Sequence, residues 1–211
     1  MYQRHPGKKL NELFQEKPFQ GVSPEKAEFL FVGLDANYAE NIESQNIFDN
    51  IIEYHLDGVG FWQKYKVHHP FLLNEYRGDG RKYHKNFARI GFQEKDANLV
   101  SFVELLPFPT VGRNKLTVDD LPEKHLRKVN DWIINNSAKF IFISSGVANL
   151  MRKSGQFSWL SEKTKEHFRN LGIIWQRQNK IVFSHLHFSN YGKFESQMLL
   201  EAQTIRELNE N

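Results

Sequence analysis

Phe29-Leu30-Phe31-Val32-Gly33-Leu34-Asp35-Ala36-Asn37-Tyr38 is the stretch on which the fold of this chain turns. An apolar run of this length, closed by turn formers, reads as a buried strand that ends in a loop carrying a carboxylate. The same grammar returns near the end, where Val182-Phe183-Ser184-His185-Leu186-His187-Phe188-Ser189-Asn190-Tyr191 passes from apolar residues to imidazoles and turn formers. In open α/β sheets ligands bind beyond the carboxyl ends of the strands. A carboxylate from the first strand and a histidine from the last are therefore expected at one site, despite their separation in sequence.

Between these stretches, apolar spacing predicts helices over Lys9–Gln15, Phe48–His55, Phe61–Tyr65, Arg81–Ile90, a segment ending at Asn136, a segment ending at Lys153, and Glu195–Leu208. Strands are predicted at Glu28–Leu34, Asn98–Leu106, Lys139–Ile143 and Ile181–His185, with Ile173–Gln176 as an edge strand. Strands alternating with helices imply an α/β fold: a three-layer sandwich with a mostly parallel central sheet of about four strands flanked by helices. No repeat or low-complexity linker divides residues 1–211, and a chain of 211 residues suits a single domain.

Composition narrows the chemistry. Cysteine is absent, which excludes disulfides and thiolate metal sites and suits a reducing compartment. Neither a signal-type apolar segment at the start nor a run of membrane-spanning length occurs, so a soluble, cytoplasmic protein without a membrane partner is expected. The 18 phenylalanines imply a large aromatic core, with exposed rings able to stack on a flat ligand as the other use.

Net charge is only +3, but it is unevenly placed. Ala27 to Gln63 holds no Lys or Arg and seven acidic residues. The segment from Lys64 to Arg89 then gathers Lys64, Lys66, Arg77, Arg81, Lys82, Lys85 and Arg89 among Tyr65, Phe71, Tyr76, Tyr83 and Phe87. Such a block suits either a phosphate backbone and its bases or the solvated face of an amphipathic helical pair.

Taken in order, these segments resemble the uracil-DNA glycosylase superfamily. Gly33-Leu34-Asp35-Ala36-Asn37-Tyr38 looks like its first motif, with Ala36 where proline is usual, and Phe48 is similar in placement to the phenylalanine that stacks on the extruded base. Phe61-Trp62-Gln63-Lys64 and the stretch from Asn98 to Thr110 resemble the mismatch-specific uracil and thymine glycosylase branch, with Ser101 where many members read the base edge with Asn. His187-Phe188-Ser189-Asn190-Tyr191 is similar to the closing His-Pro-Ser-Pro-Leu motif, with both prolines replaced. The resemblance implies a metal-free, cofactor-free, monofunctional DNA glycosylase, acting as a monomer on a deaminated or damaged base in base-excision repair.

Cleaving an N-glycosidic bond needs an anionic group near the sugar and donors near the departing base. Asp35 is expected beside the attacking water and His187 at a carbonyl oxygen of the base, with His185, two residues earlier on the same strand face, as the other candidate. Phe48, Ser101, Asn37 and Tyr38 are the expected base contacts; Asn37 or Tyr38 stands where strict uracil enzymes exclude the thymine methyl. For DNA, Tyr191 is the expected wedge, with Phe194 as its alternative. Phosphate partners are expected in Ser189, Asn190, the Ser144-Ser145-Gly146 turn, Arg113, Lys115, Arg81, Lys82 and Lys85. Two other readings stay open: a non-catalytic nucleic-acid-binding protein, or a hydrolase of free nucleosides or nucleotides.

Overall fold

The computed structural model describes residues 3–112, 116–160 and 166–210. Its strands are β1 Phe19–Gly21, β2 Phe29–Gly33, β3 Val100–Glu104, β4 Phe140–Ser144, β5 His167–Phe168, β6 Leu171–Arg177 and β7 Lys180–His185. They form one sheet in the order β1-β3-β2-β4-β7-β6-β5. The helices are α1 Lys8–Glu16, α2 Phe48–Leu56, α3 Gly58–Tyr65, α4 Arg81–Ala88, α5 Glu123–Asn135, α6 Ser145–Ser154 and α7 Glu195–Asn209.

The α/β class agrees with expectation, but the sheet does not. It has seven strands and is mixed: β3, β2, β4 and β7 run parallel, while β1 pairs with β3, β7 with β6, and β6 with β5 in antiparallel fashion. A sheet of about four mostly parallel strands is thereby corrected. β1 and β5 span three and two residues, too few for alternation to register. The strand expected at the edge, β6, is instead covered by β5. It turns into β7 through the two-residue link Gln178-Asn179, with Gln178 at a left-handed φ of 54°. Such hairpins usually announce themselves by Asn-Gly or Asp-Gly, and this one carries neither.

Alternation along the parallel strands sorts the core into two faces. Leu30 and Val32 of β2 and Ile141 and Ile143 of β4 point into an aliphatic layer with Leu126, Val129 and Trp132 of α5 and Val147 and Met151 of α6. Phe29 and Phe31, Phe142 and Phe183 point the other way, against Trp62 of α3, Phe87 of α4 and Ile205 of α7. Rings of Phe31 and Phe142 stack at 4.8 Å, and those of Phe142 and Phe183 at 5.5 Å. Burying each such ring contributes about 1.5–3 kcal/mol. The abundant phenylalanine of this chain is thus largely one aromatic layer. A third cluster joins Leu10 and Phe14 of α1 to Ile51 of α2, Tyr38 and Phe71.

Because β3, β2, β4 and β7 are parallel, their carboxyl ends share one edge. After β2 the chain crosses to β3 on one side, and after β3 it returns to β4 on the other. This reversal of direction opens a crevice at the end of β2. Asp35, Glu104, Ser144 and His187 all lie at or just beyond these ends.

Candidate active site

A cavity of about 260 Å³ occupies the crevice, lined by Gln20, Gly33 to Tyr38, His69, Phe71, Gly80, Tyr83, His84, Glu104 and His187. Asp35 and His187, 152 positions apart in the sequence, therefore do converge. The volume lies just under the roughly 300 Å³ at which sites for small molecules begin. One flat heterocycle between rings is the size of ligand it suits.

Asp35 is held by its loop. Beyond β2 the chain runs beside Thr110, whose N–H donates to the Ala36 carbonyl at 2.9 Å and whose carbonyl accepts from the Tyr38 N–H at 3.0 Å. The Thr110 hydroxyl donates to Asp35 Oδ2. Asn37 Nδ2 donates to Thr110 Oγ1 at 3.0 Å and the Gly112 carbonyl at 2.8 Å. The Asn37 amide nitrogen thus braces the loop, while the residue itself lines the cavity. Tyr38 is buried at the cavity wall, its hydroxyl accepting from Gln20 Nε2 at 3.1 Å.

His187 follows β7. Its Nδ1 accepts from the Ser189 N–H at 3.2 Å and lies 2.6 Å from the Ser189 hydroxyl. Burial lowers its pKa, with the Asp35 charge pulling the other way. His185 sits deeper, its Nδ1 2.7 Å from the Leu186 carbonyl, and burial holds it down to about 4. It does not line the Asp35 cavity. Asn86 of α4 fixes the loop between, donating to the carbonyls of Phe188 at 2.6 Å and Asn190 at 3.2 Å. Phe188, where the motif expects proline, is buried against Phe87 and His185.

Two expected base contacts lie elsewhere. Ser101 is fully buried near the start of β3, opposite Leu30, and strand alternation turns it away from the face of Phe102 and Glu104. Phe48 opens α2 and packs against the cluster of α1 and α2. The rings that do line the cavity are Phe71, Tyr83, Tyr38 and the imidazoles of His69 and His84. Those imidazoles stack at 3.6 Å, and His68 Nε2 lies 3.2 Å from His84 Nδ1. Burial depresses all three, His84 to about 3.

Sequence reasoning also missed Glu104. Its Oε2 is buried without a hydrogen-bond partner among the described residues, and burial together with the Asp35 charge pushes its pKa well above the usual carboxylate range. The signal was present: Glu104 ends a parallel strand, as Asp35 nearly does, but it sits inside an apolar run.

Ser144, Ser145, Gly146, His185 and Asn190 line a second cavity of about 300 Å³, which meets the first at Leu34 and His187. Ser144 is buried at the end of β4, while Ser145 and Gly146 open α6 exposed. A shallow groove of about 510 Å³ runs along α4, lined among others by Arg77, Asp79, Arg81, Lys82, Lys85 and Arg89. Tyr191 is 70% exposed beside it, with the Lys82 ammonium 3.9 Å from its ring centre. Phe194 is exposed as well, and so is Ser189. Within that groove Arg81 donates through Nη1 to the carbonyls of Phe71, Leu73 and Tyr76 at 3.0, 2.7 and 2.6 Å. Its guanidinium holds a loop together. Arg113 and Lys115 lie outside the described residues.

No family model matches this chain, and no curated protein matches it. Among the described residues no helix is long and apolar enough to cross a membrane, and no cluster of three or more His, Asp or Glu is arranged to hold a metal ion.

Proposed function

We propose that the cavity hydrolyses the N-glycosidic bond of a deaminated or related base that has swung out of a DNA strand. The observation that carries this reading is the meeting of Asp35 and His187 in one ring-lined cavity sized for a single heterocycle. The Thr110 hydroxyl and the Asn37 amide hold the Asp35 carboxylate in place. There it draws a proton from a water facing the anomeric carbon, or offsets the positive charge that grows on the sugar as the bond lengthens.

Ser189 determines what His187 does. An N–H that donates to Nδ1 requires a lone pair there, so the neutral ring carries its proton on Nε2. Nε2–H is a donor for the carbonyl oxygen on which charge collects as the base departs. Donation from a neutral imidazole stabilises that charge without placing a full cation in the cavity.

DNA as the carrier of the base is supported by what surrounds the mouth. Asn86 ties the His187–Tyr191 loop to α4, whose outer face carries Lys82 and Lys85, and Tyr191 stands exposed at the junction. Extruding a base costs a few kcal/mol, and a ring inserted in its place offsets part of this. The acidic run from Glu28 to Asp57 enters the cavity through Asp35 alone among its carboxylates.

Incubating the protein with oligonucleotides that carry uracil, mismatched thymine, hypoxanthine or xanthine, then cleaving with alkali, tests the reading. Strand breaks at the modified base with release of the free base are expected. Release from free nucleosides alone would move the substrate to small molecules, and release from neither would end the hydrolase reading.

A further inference from the structure

Glu104 is the cavity carboxyl to which the hydrolysis proposed above gives no role. It ends β3 in register with Gly33 of β2, and its carboxyl occupies the space a side chain at 33 would need. A Cβ built on Gly33 would stand 2.7 Å from the Glu104 carboxyl carbon. Glycine at 33 is therefore what lets this carboxyl lie against the cavity wall. Oε2 is buried and finds no partner among the described residues, and native structures rarely leave such an atom unmatched without a ligand, ion or strain to explain it.

The groups facing Glu104 do not favour a carboxylate. They are the Asp35 carboxylate and the phenols of Tyr38 and Tyr83, and the imidazoles of His69, His84 and His187 that share the cavity are depressed by burial. An ionised Glu104 would lie buried beside a second anion. The acid form removes that conflict and creates a hydrogen-bond donor.

We propose that Glu104 holds the edge of the base in the cavity: as a carboxylic acid it offers one O–H donor and one C=O acceptor side by side, which a lactam edge, –NH–C(=O)–, pairs with. This deepens the functional reading above and rests on it. The acid O–H donates to the lactam oxygen while the lactam N–H donates to the acid carbonyl. Rotation about the last torsion of Glu is soft and two-fold, so both oxygens can turn to the cavity. Deamination is the chemistry that creates such an edge, since it replaces an amino group by a carbonyl and leaves a ring N–H beside it. Undamaged guanine and thymine carry the same edge, and the acid also matches the amino and imino pair of cytosine or adenine, so Glu104 holds a base edge without alone selecting a deaminated one. Ser101, facing the other side of the sheet, supplies no paired donor and acceptor, and the amide nitrogens of Gln20 and Asn37 in the cavity already donate to Tyr38, Thr110 and Gly112.

Calorimetric titration of the full chain with free uracil at pH 7, for wild type, Glu104→Gln and Glu104→Ala, tests the proposal; thermal melts first establish that each variant is folded. Gln keeps one donor and one acceptor without ionising. It is expected to bind uracil within about threefold of wild type, whereas Ala is expected to bind at least roughly tenfold more weakly. 1,3-Dimethyluracil, which has no lactam N–H, is expected to bind wild type as poorly as uracil binds the Ala variant. Infrared difference spectra are expected to hold a protonated-carboxyl band that Glu104→Gln lacks and that shifts on uracil binding. Equal uracil affinity of wild type and Glu104→Ala, undiminished binding of 1,3-dimethyluracil, an absent acid band, or no uracil binding by wild type would each overturn the proposal. The two readings fail separately. Uracil binding through Glu104 without base release from any oligonucleotide removes the hydrolase reading alone, and base release indifferent to Glu104→Ala removes this one alone.

Discussion

The Ser189 main-chain N–H donates to His187 Nδ1 at 3.2 Å, and this one hydrogen bond sets which ring nitrogen can serve a ligand. A loop residue two positions on thus acts as the orienting partner that catalytic histidines commonly take from a carboxylate. Protonating Nδ1 would break this bond, so the loop itself favours the neutral ring.

From that arrangement, His187→Ala is expected to lower the single-turnover rate of base release about 100-fold or more, the lower end of what a positioned proton donor contributes. His185→Ala, which removes a ring buried against Phe188, is expected to act mainly on stability. Rates and denaturation midpoints of both variants check this, and the reverse ranking would assign the donor role to His185.

Acid should loosen the fold. Burial holds His55 and His185 near pKa 4, whereas an unfolded histidine takes its proton near 6.5. Unfolding between these values therefore binds protons. The stability they supply is full above about 6.5 and falls as pH falls through that window, by up to about 1.4 kcal/mol per pH unit for each. His68, His69 and His84 act in the same direction. Glu104 and Glu201, whose acid forms burial favours, oppose it, because their contribution falls as pH rises above the usual carboxylate range. The more numerous histidines decide the sign. Denaturant unfolding at pH 7, 6 and 5 is expected to give falling free energies, and a flat or rising series would contradict neutral buried imidazoles.

The basic residues of α4 divide into two kinds. Lys82→Ala with Lys85→Ala is expected to weaken duplex binding at every sequence and to reduce the slope of log affinity against log salt by about 0.9 for each phosphate that is no longer neutralised. Arg81→Ala instead leaves several partly buried carbonyls without their donor and is expected to destabilise by about 1–3 kcal/mol. Salt-dependent binding and chemical denaturation of the variants separate the two effects.

What the sequence disclosed and what it hid have physical causes. Asp35 and His187 were legible because each follows an apolar run broken by turn formers, and parallel strands bring such ends to one edge. Ser101 was misplaced because β3 begins at Val100, after a 3-10 segment over Glu94–Leu99, and alternation then faces its hydroxyl into the aliphatic layer. Phe48 has helical spacing whether it packs or stacks, and only the third dimension shows that Phe71 and Tyr83 are the cavity rings. Arg81 reads as a surface cation until the carbonyls it gathers are seen. β1 and β5 escaped because pairing partners, not side-chain patterns, make strands of two or three residues.

The central claim is that Asp35 acts on the bond between base and sugar. Comparing wild type with Asp35→Asn on the most rapidly processed oligonucleotide, with single-turnover rate and binding affinity measured on the same samples, tests it most directly. The variant keeps the shape of the side chain and an acceptor for Thr110, and is expected to lose at least about 100-fold in rate while affinity changes little. An unchanged rate, or a loss of rate matched by an equal loss of affinity, would contradict a catalytic Asp35.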